Sequence, residues 1–149
     1  MKRGTAFLLS GFIMMLVAAC SKGGVPADDG TISGGGNDHI YNPTDTTAPT
    51  LDIYTPTLNQ VFTNGSVINV TGRIADDYGL YRGTIRILND ANGAVMKEQQ
   101  YEIHGVLAYN FSINYTTAVT VASDYTVMVS FEDHGLNGVT KSVKIKVNP

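Results

Sequence analysis

The stretch Leu107-Ala108-Tyr109-Asn110-Phe111-Ser112-Ile113-Asn114-Tyr115 puts large apolar or aromatic side chains at every odd position and small or polar ones between them. Successive side chains of a β-strand point to opposite faces, so this period of two predicts a strand with one face in a core and the other in solvent. The same period recurs on both sides. Upstream, Ile68, Val70 and Ile74 alternate with Asn69, Thr71 and Arg73, and Tyr81, Ile85 and Ile87 alternate with Arg82, Thr84 and Arg86. Downstream, Tyr125, Val127, Val129 and Phe131 alternate with Thr126, Met128 and Ser130, and Val143, Ile145 and Val147 with Ser142, Lys144 and Lys146. No helical period competes with this pattern.

Leu51–Tyr54 and Val95–Ile103 complete seven predicted strands, here lettered A to G in chain order. They are separated by the turn signals Asn64-Gly65, Asp76-Asp77-Tyr78-Gly79, Asn89 to Gly93, His104-Gly105 and Gly135 to Gly138. Seven antiparallel strands at this spacing predict an all-β fold, an immunoglobulin-like Greek-key sandwich whose inward side chains, Phe111 and Val129 among them, form the core. The chain has one Cys and no Trp, so neither an intersheet disulfide nor the Trp that packs on it in antibody domains is available. Tyr125, just after Ser123-Asp124, fits either a tyrosine corner or an ordinary buried tyrosine.

Ahead of the sandwich the composition changes twice. Met1-Lys2-Arg3 is a short basic start, and Ala6 to Ala19 is an apolar run shorter than the ~20 residues of a bilayer-spanning helix. Leu16-Val17-Ala18-Ala19-Cys20 then places small residues directly before the only cysteine, and this order resembles the bacterial lipobox. The resemblance implies cleavage before Cys20 and lipidation of its thiol, making residues 1–19 a signal peptide. Ser21, where many Gram-negative lipoproteins carry an inner-membrane Asp, implies the outer membrane as the location in the cell envelope. Residues 20–47, with Gly23-Gly24 and Gly34-Gly35-Gly36 and only isolated apolar side chains, read as the lipidated cysteine and a flexible linker of roughly 30 Å r.m.s. reach. Residues 48–149 are the domain. His39, inside the linker, is given no role.

Loss of Lys2 and Arg3 with the first 19 residues would leave eight basic residues against 13 acidic ones and take the formal charge from −3 to −5. No basic cluster is present to neutralise phosphates, so nucleic acid is not expected as a partner and membrane contact falls to the lipid on Cys20.

Asp45-Thr46-Thr47-Ala48-Pro49-Thr50 leading into strand A, Asp76-Asp77-Tyr78-Gly79-Leu80 after strand B and Phe131-Glu132-Asp133 after strand F resemble bacterial Ig-like modules related to cadherin repeats. Joined to the lipobox, the whole is similar to small bacterial lipoproteins with a single Ig-like domain and no assigned activity. The resemblance spans Thr44 to Pro149. The full cadherin calcium signature is missing, so calcium is not implied by it. Asp45-Thr46-Thr47 also resembles the Asp-Thr-X tripeptide of bacterial O-glycosylation, which would mark Thr46; an unmodified polar linker is the alternative.

A seven-stranded sandwich brings the start of strand A and the B–C, D–E and F–G loops to one end. That would gather Asp45, Asp76, Asp77, Glu132 and Asp133 at one pole as candidate oxygen ligands for Ca²⁺, no cofactor being required otherwise. The competing reading is that Asp and Gly are turn formers whose carboxylates are solvated. His104 and His134, at the same end, would suit a transition metal, although the sequence has no closely spaced His pair. No nucleophile elbow, zinc-protease helix or phosphate loop occurs, and the single cysteine is assigned to the anchor, so no enzyme is expected. What remains is a lipid-anchored binding or adhesion module, contacting a glycan or envelope protein through Tyr78, Tyr81, His104, His134 and Leu136. The alternative is an accessory subunit that pairs with a larger outer-membrane complex through an exposed strand edge, with calcium as a candidate stabiliser.

Overall fold

The computed structural model describes residues 42–149. Residues 1–19, read above as a signal peptide, together with Cys20, His39 and most of the expected linker, lie outside the described residues. All eight elements are strands: β1 (Thr50–Thr55), β2 (Gln60–Thr63), β3 (Val67–Ala75), β4 (Leu80–Asn89), β5 (Val95–Glu102), β6 (Ala108–Thr116), β7 (Ser123–Asp133) and β8 (Gly138–Asn148). They form a three-stranded sheet in the order β1-β3-β6 and a five-stranded sheet in the order β2-β8-β7-β4-β5. This is the Ig-like two-sheet sandwich that the alternation predicts.

Seven of the strands correspond to A–G. The eighth, β2, runs parallel to β8 from Gln60↔Ile145 to Thr63↔Asn148 and carries the N-terminal part of the chain across to the second sheet. At four residues it is too short for alternation to show, and only Phe62 of its apolar side chains is half-buried against the core. The fourth strand of the sequence reading, β5, pairs with β4 and so forms the outer edge of the five-stranded sheet.

The alternation holds where the ladders are regular. In β3 and β6, Ile68, Val70, Ile74, Phe111 and Ile113 are buried, while Asn110 and Ser112 are exposed. Two positions depart from it. Leu107, expected on the inward face, precedes the strand and is exposed. Tyr81, expected in phase with Ile85 and Ile87, is half-buried because the register against β7 shifts between Leu80 and Arg82; this bulge sends Leu80 into the core instead.

The centre of the sandwich is built from two glycine–phenylalanine pairs. Gly72 on β3 faces Phe111 on β6, and Gly83 on β4 faces Phe131 on β7. A methyl group at Gly83 would overlap Cγ, Cδ1 and Cε1 of Phe131, and one at Gly72 would overlap both the Phe111 ring and the carbonyl oxygen of Asp52. Each ring therefore occupies the space where a side chain of its own sheet is missing. The two rings stack on each other across the sandwich, with centroids 5.5 Å apart and planes at 29°.

Candidate functional site: the loop pole

Four segments meet at one end of the domain: residues 42–47 before β1, 76–79 between β3 and β4, 103–107 between β5 and β6, and 134–137 between β7 and β8. Main-chain bonds join them in series. Asn42 N–H donates to the His134 carbonyl (2.9 Å), His134 N–H to the Gly79 carbonyl (3.1 Å), and Asp76 N–H to the Leu107 carbonyl (2.9 Å). Leu80 N–H to the Val106 carbonyl (2.9 Å) and Gly105 N–H to the Leu80 carbonyl (3.1 Å) complete the frame. Bonds of this kind fix the main chain of the four segments relative to one another.

Two glycines allow the close approach. Gly79 has a φ of 142°, outside the range of most side chains, and closes the turn in which Asp76 Oδ2 accepts from Tyr78 N–H (2.8 Å) and Gly79 N–H (2.7 Å). A methyl group on Gly135 would come within 2.6 Å of Asn137 Nδ2 and 2.8 Å of the Asp45 carbonyl oxygen, so the segment before β1 crosses the 134–137 loop only because that position is bare.

The five carboxylates expected to form one site divide into two groups. Asp133 is fully buried, and Asn137 occupies both of its oxygens, through its N–H (2.8 Å) and its side-chain Nδ2 (3.0 Å). The same Nδ2 lies 3.1 Å from the Asp45 carbonyl, so Asp133 and Asn137 together fix the loop and the segment that crosses it. Glu132 projects from β7 opposite Arg82 and pairs with its Nε at 2.5 Å, holding the guanidinium above its ordinary pKa through that hydrogen bond and the accompanying charge. These two carboxylates are thus committed elsewhere, which corrects the five-ligand expectation.

Asp45, Asp76 and Asp77 do converge. One carboxylate oxygen from each lies within 4.8 Å of the other two. Asp45 and Asp76 are buried, at 8% and 9% exposure, and Asp77 is exposed. Asp45 Oδ1 accepts from Thr47 N–H (3.0 Å), whereas Asp45 Oδ2 and Asp76 Oδ1 are buried and find no hydrogen-bond partner among the described residues. Thr46, the candidate glycosylation residue, is exposed beside them.

The expected contact residues also separate by exposure. Tyr78 and Leu136 are 51% and 55% exposed, and Leu136 is held in the left-handed region at φ 63°. Tyr81, His104 and His134 instead form a half-buried cluster. The Tyr81 ring stacks on His134 at 5.0 Å and 30° and tilts against His104 at 4.9 Å, and the two imidazoles are 5.5 Å apart. The Arg82 guanidinium lies 4.8 Å over the same Tyr81 ring, and His104 Nε2 is 3.2 Å from Glu102 Oε2. Among the described residues neither histidine belongs to a group of three or more convergent metal-type side chains. Sequence reasoning missed Asn137, Gly79 and Gly135 as the residues that shape this pole; the Asp133 to Asn137 spacing, Asx side chains at either end of a loop, was the available signal.

No protein-family model matches the chain. No curated protein matches it either. Among solved structures, the fibronectin(III)-like modules of Clostridium thermocellum CbhA are similar to it at a TM-score of 0.40 and 20% identity, over 67% of this chain and 46% of that one. The chain thus spans about half the length of that structure. At this level the likeness says nothing of activity, and the fold rests on the sheet order and register given above.

Proposed function

We propose that this protein is a non-catalytic recognition module, held at the cell envelope by the lipid on Cys20, that presents its loop pole to a glycan or an envelope protein. One observation carries the reading: four bonded segments form a rigid frame from which Tyr78, Val106, Leu107 and Leu136 stand exposed around the Tyr81–His104–His134 cluster. Loops whose main chain is already bonded before contact lose less freedom on binding, and aromatic anchors dominate recognition surfaces. The lipobox supplies the anchor and the linker the reach, and Ser21 favours the outer membrane.

The test is retention of the protein on an array of envelope glycans and in pull-downs from envelope extracts. Substituting Tyr78→Ala together with Leu136→Asn should abolish retention, since Asn accepts the left-handed backbone and removes only the apolar contact. Retention that survives both changes would exclude the pole.

A second reading, an accessory subunit that pairs by strand addition, is favoured by β6. It is an edge of the three-stranded sheet, runs for nine residues and contains neither charge nor proline, the devices that normally blunt an edge. By contrast the other sheet's edge, β5, carries Lys97 and Glu98. Tyr101 Oη approaches the Ser112 carbonyl at 3.4 Å from the side away from β3, which makes Ser112 a residue whose main-chain groups face outward. Ser112→Pro would then remove an outward N–H without breaking the β3–β6 ladder. Loss of complex recovery in that variant would support this reading over the first.

A further inference from the structure

We propose that Asp45, Asp76 and Asp77 form a Ca²⁺ site that ties the segment preceding β1 to the β3–β4 loop. The inference goes beyond the recognition reading and does not depend on it. Three carboxylates from two separate segments each bring an oxygen within 4.8 Å of the others, a spacing at which like charges repel unless a cation lies among them. Convergence of acidic residues alone is common on protein surfaces. The two buried, unpartnered oxygens make this case different.

Asp45 and Asp76 are more than nine-tenths buried, and each uses one carboxylate oxygen to organise its own turn: Asp45 Oδ1 for Thr47 N–H, Asp76 Oδ2 for Tyr78 and Gly79 N–H. Each is left with a second oxygen, Oδ2 of Asp45 and Oδ1 of Asp76, that is buried and accepts no hydrogen bond from the described residues. A buried acceptor without a partner carries an uncompensated desolvation cost, and a pair of them on neighbouring carboxylates is what a cation would relieve. The turns orient the second oxygens as a consequence of satisfying the first. Asp77, exposed beside them, adds a third charge from the solvent side.

The donor set is all oxygen, which selects a hard cation over zinc or copper. Geometry favours calcium within that class. The ligands come from a loop and from the irregular segment before β1, and Ca²⁺ accepts six to eight oxygens in flexible arrangements completed by water or carbonyl groups, whereas Mg²⁺ demands a near-ideal octahedron. A cation here would cross-link the segment arriving from the linker to the frame of the pole, next to the clamp that Asn137 already makes on the Asp45 carbonyl at 3.1 Å.

The experiment uses the full chain and two readouts. Tb³⁺, a Ca²⁺ surrogate, luminesces when bound beside a tyrosine, and Tyr78 follows Asp77 in a protein that has no Trp. Tb³⁺ emission should appear and be displaced by Ca²⁺ at roughly 10⁻⁴–10⁻³ M, the range of extracellular modules. The melting midpoint should rise in millimolar CaCl₂ relative to EDTA, rise less in MgCl₂, and not respond to KCl of matched ionic strength. Asp76→Asn keeps the oxygen that caps Tyr78 and Gly79, and Asp77→Asn alters an exposed group, so both variants should fold. Each should weaken Ca²⁺ displacement by about tenfold or more, while Asp124→Asn, an exposed carboxylate on β7, should not. An unchanged midpoint with no Tb³⁺ emission would overturn the site, as would a Ca²⁺ response of wild-type size in Asp77→Asn. Neither readout involves a glycan or partner, so failure here leaves the recognition reading standing, and failure of that reading leaves this site standing.

Discussion

Replacing Gly83 with Ala and Phe131 with Ala, singly and together, tests the packing at the middle of the sandwich. In the native core a methyl at Gly83 meets Cγ, Cδ1 and Cε1 of Phe131, and because Cγ lies on the ring's own axis, turning the ring about that axis cannot clear the clash. Overpacking of this kind costs about 1–3 kcal/mol, reduced by the ~0.5–1 kcal/mol that alanine gains over glycine in a strand interior. Phe131→Ala alone should cost ~3–5 kcal/mol for lost burial and the cavity, including the stack on Phe111. In the double variant the methyl occupies space the ring has left, so the total should fall short of the sum of the single effects by roughly 0.5–3 kcal/mol. At Gly72 the same cycle with Phe111 should show a smaller coupling, because the Asp52 carbonyl still obstructs the methyl after the ring is gone. Equilibrium urea unfolding of the four proteins in each cycle measures this. Additivity within ~0.5 kcal/mol at Gly83 and Phe131 would refute the account of paired glycines and rings.

Other expectations follow from the same structure. Phe111→Ala should cost ~3–5 kcal/mol in urea unfolding, while changes at exposed Asn110 should stay within about 0.5 kcal/mol. Burial, then the nearby Tyr109, raises the Tyr101 hydroxyl pKa. Because the folded value lies above the unfolded one, the associated stability is intact below pH ~10 and is lost as pH climbs through the folded value. Tyr101→Phe should therefore flatten the alkaline limb of a stability–pH curve, and an unchanged limb would count against that origin. Cys20→Ala should move the protein from the membrane to the soluble envelope fraction; continued membrane fractionation without a protein partner would remove the lipid anchor from the account.

Much of the fold was legible because burial in a two-sided sheet imposes a period of two, and β3, β6 and β7 display it over nine or more residues. Strand β2 was not, since four residues hydrogen-bonded to β8 need no pattern of their own. Nor was the bulge at Leu80, which inverts the phase of Tyr81 through a backbone irregularity that side-chain spacing does not encode. The convergence of the segment before β1 with three loops was readable from strand order, because antiparallel connections alternate between the two ends. Which acidic residues remain available at that pole was not readable. That depends on Arg82 standing opposite Glu132 in the β4–β7 register and on Asn137 folding back onto Asp133, partnerships set by tertiary geometry. Glycines 79 and 135 looked like ordinary turn residues in the sequence, and only the crossing of the chain over the 134–137 loop shows why a side chain at Gly135 is excluded.

The recognition reading is tested most directly by amide hydrogen exchange of the protein on native envelopes compared with the isolated protein. It predicts added protection at residues 76–79, 103–107 and 134–137, with β6 unchanged. Protection gained along Ala108–Thr116 while the three loops exchange as in the isolated protein would contradict it and point to the strand edge instead.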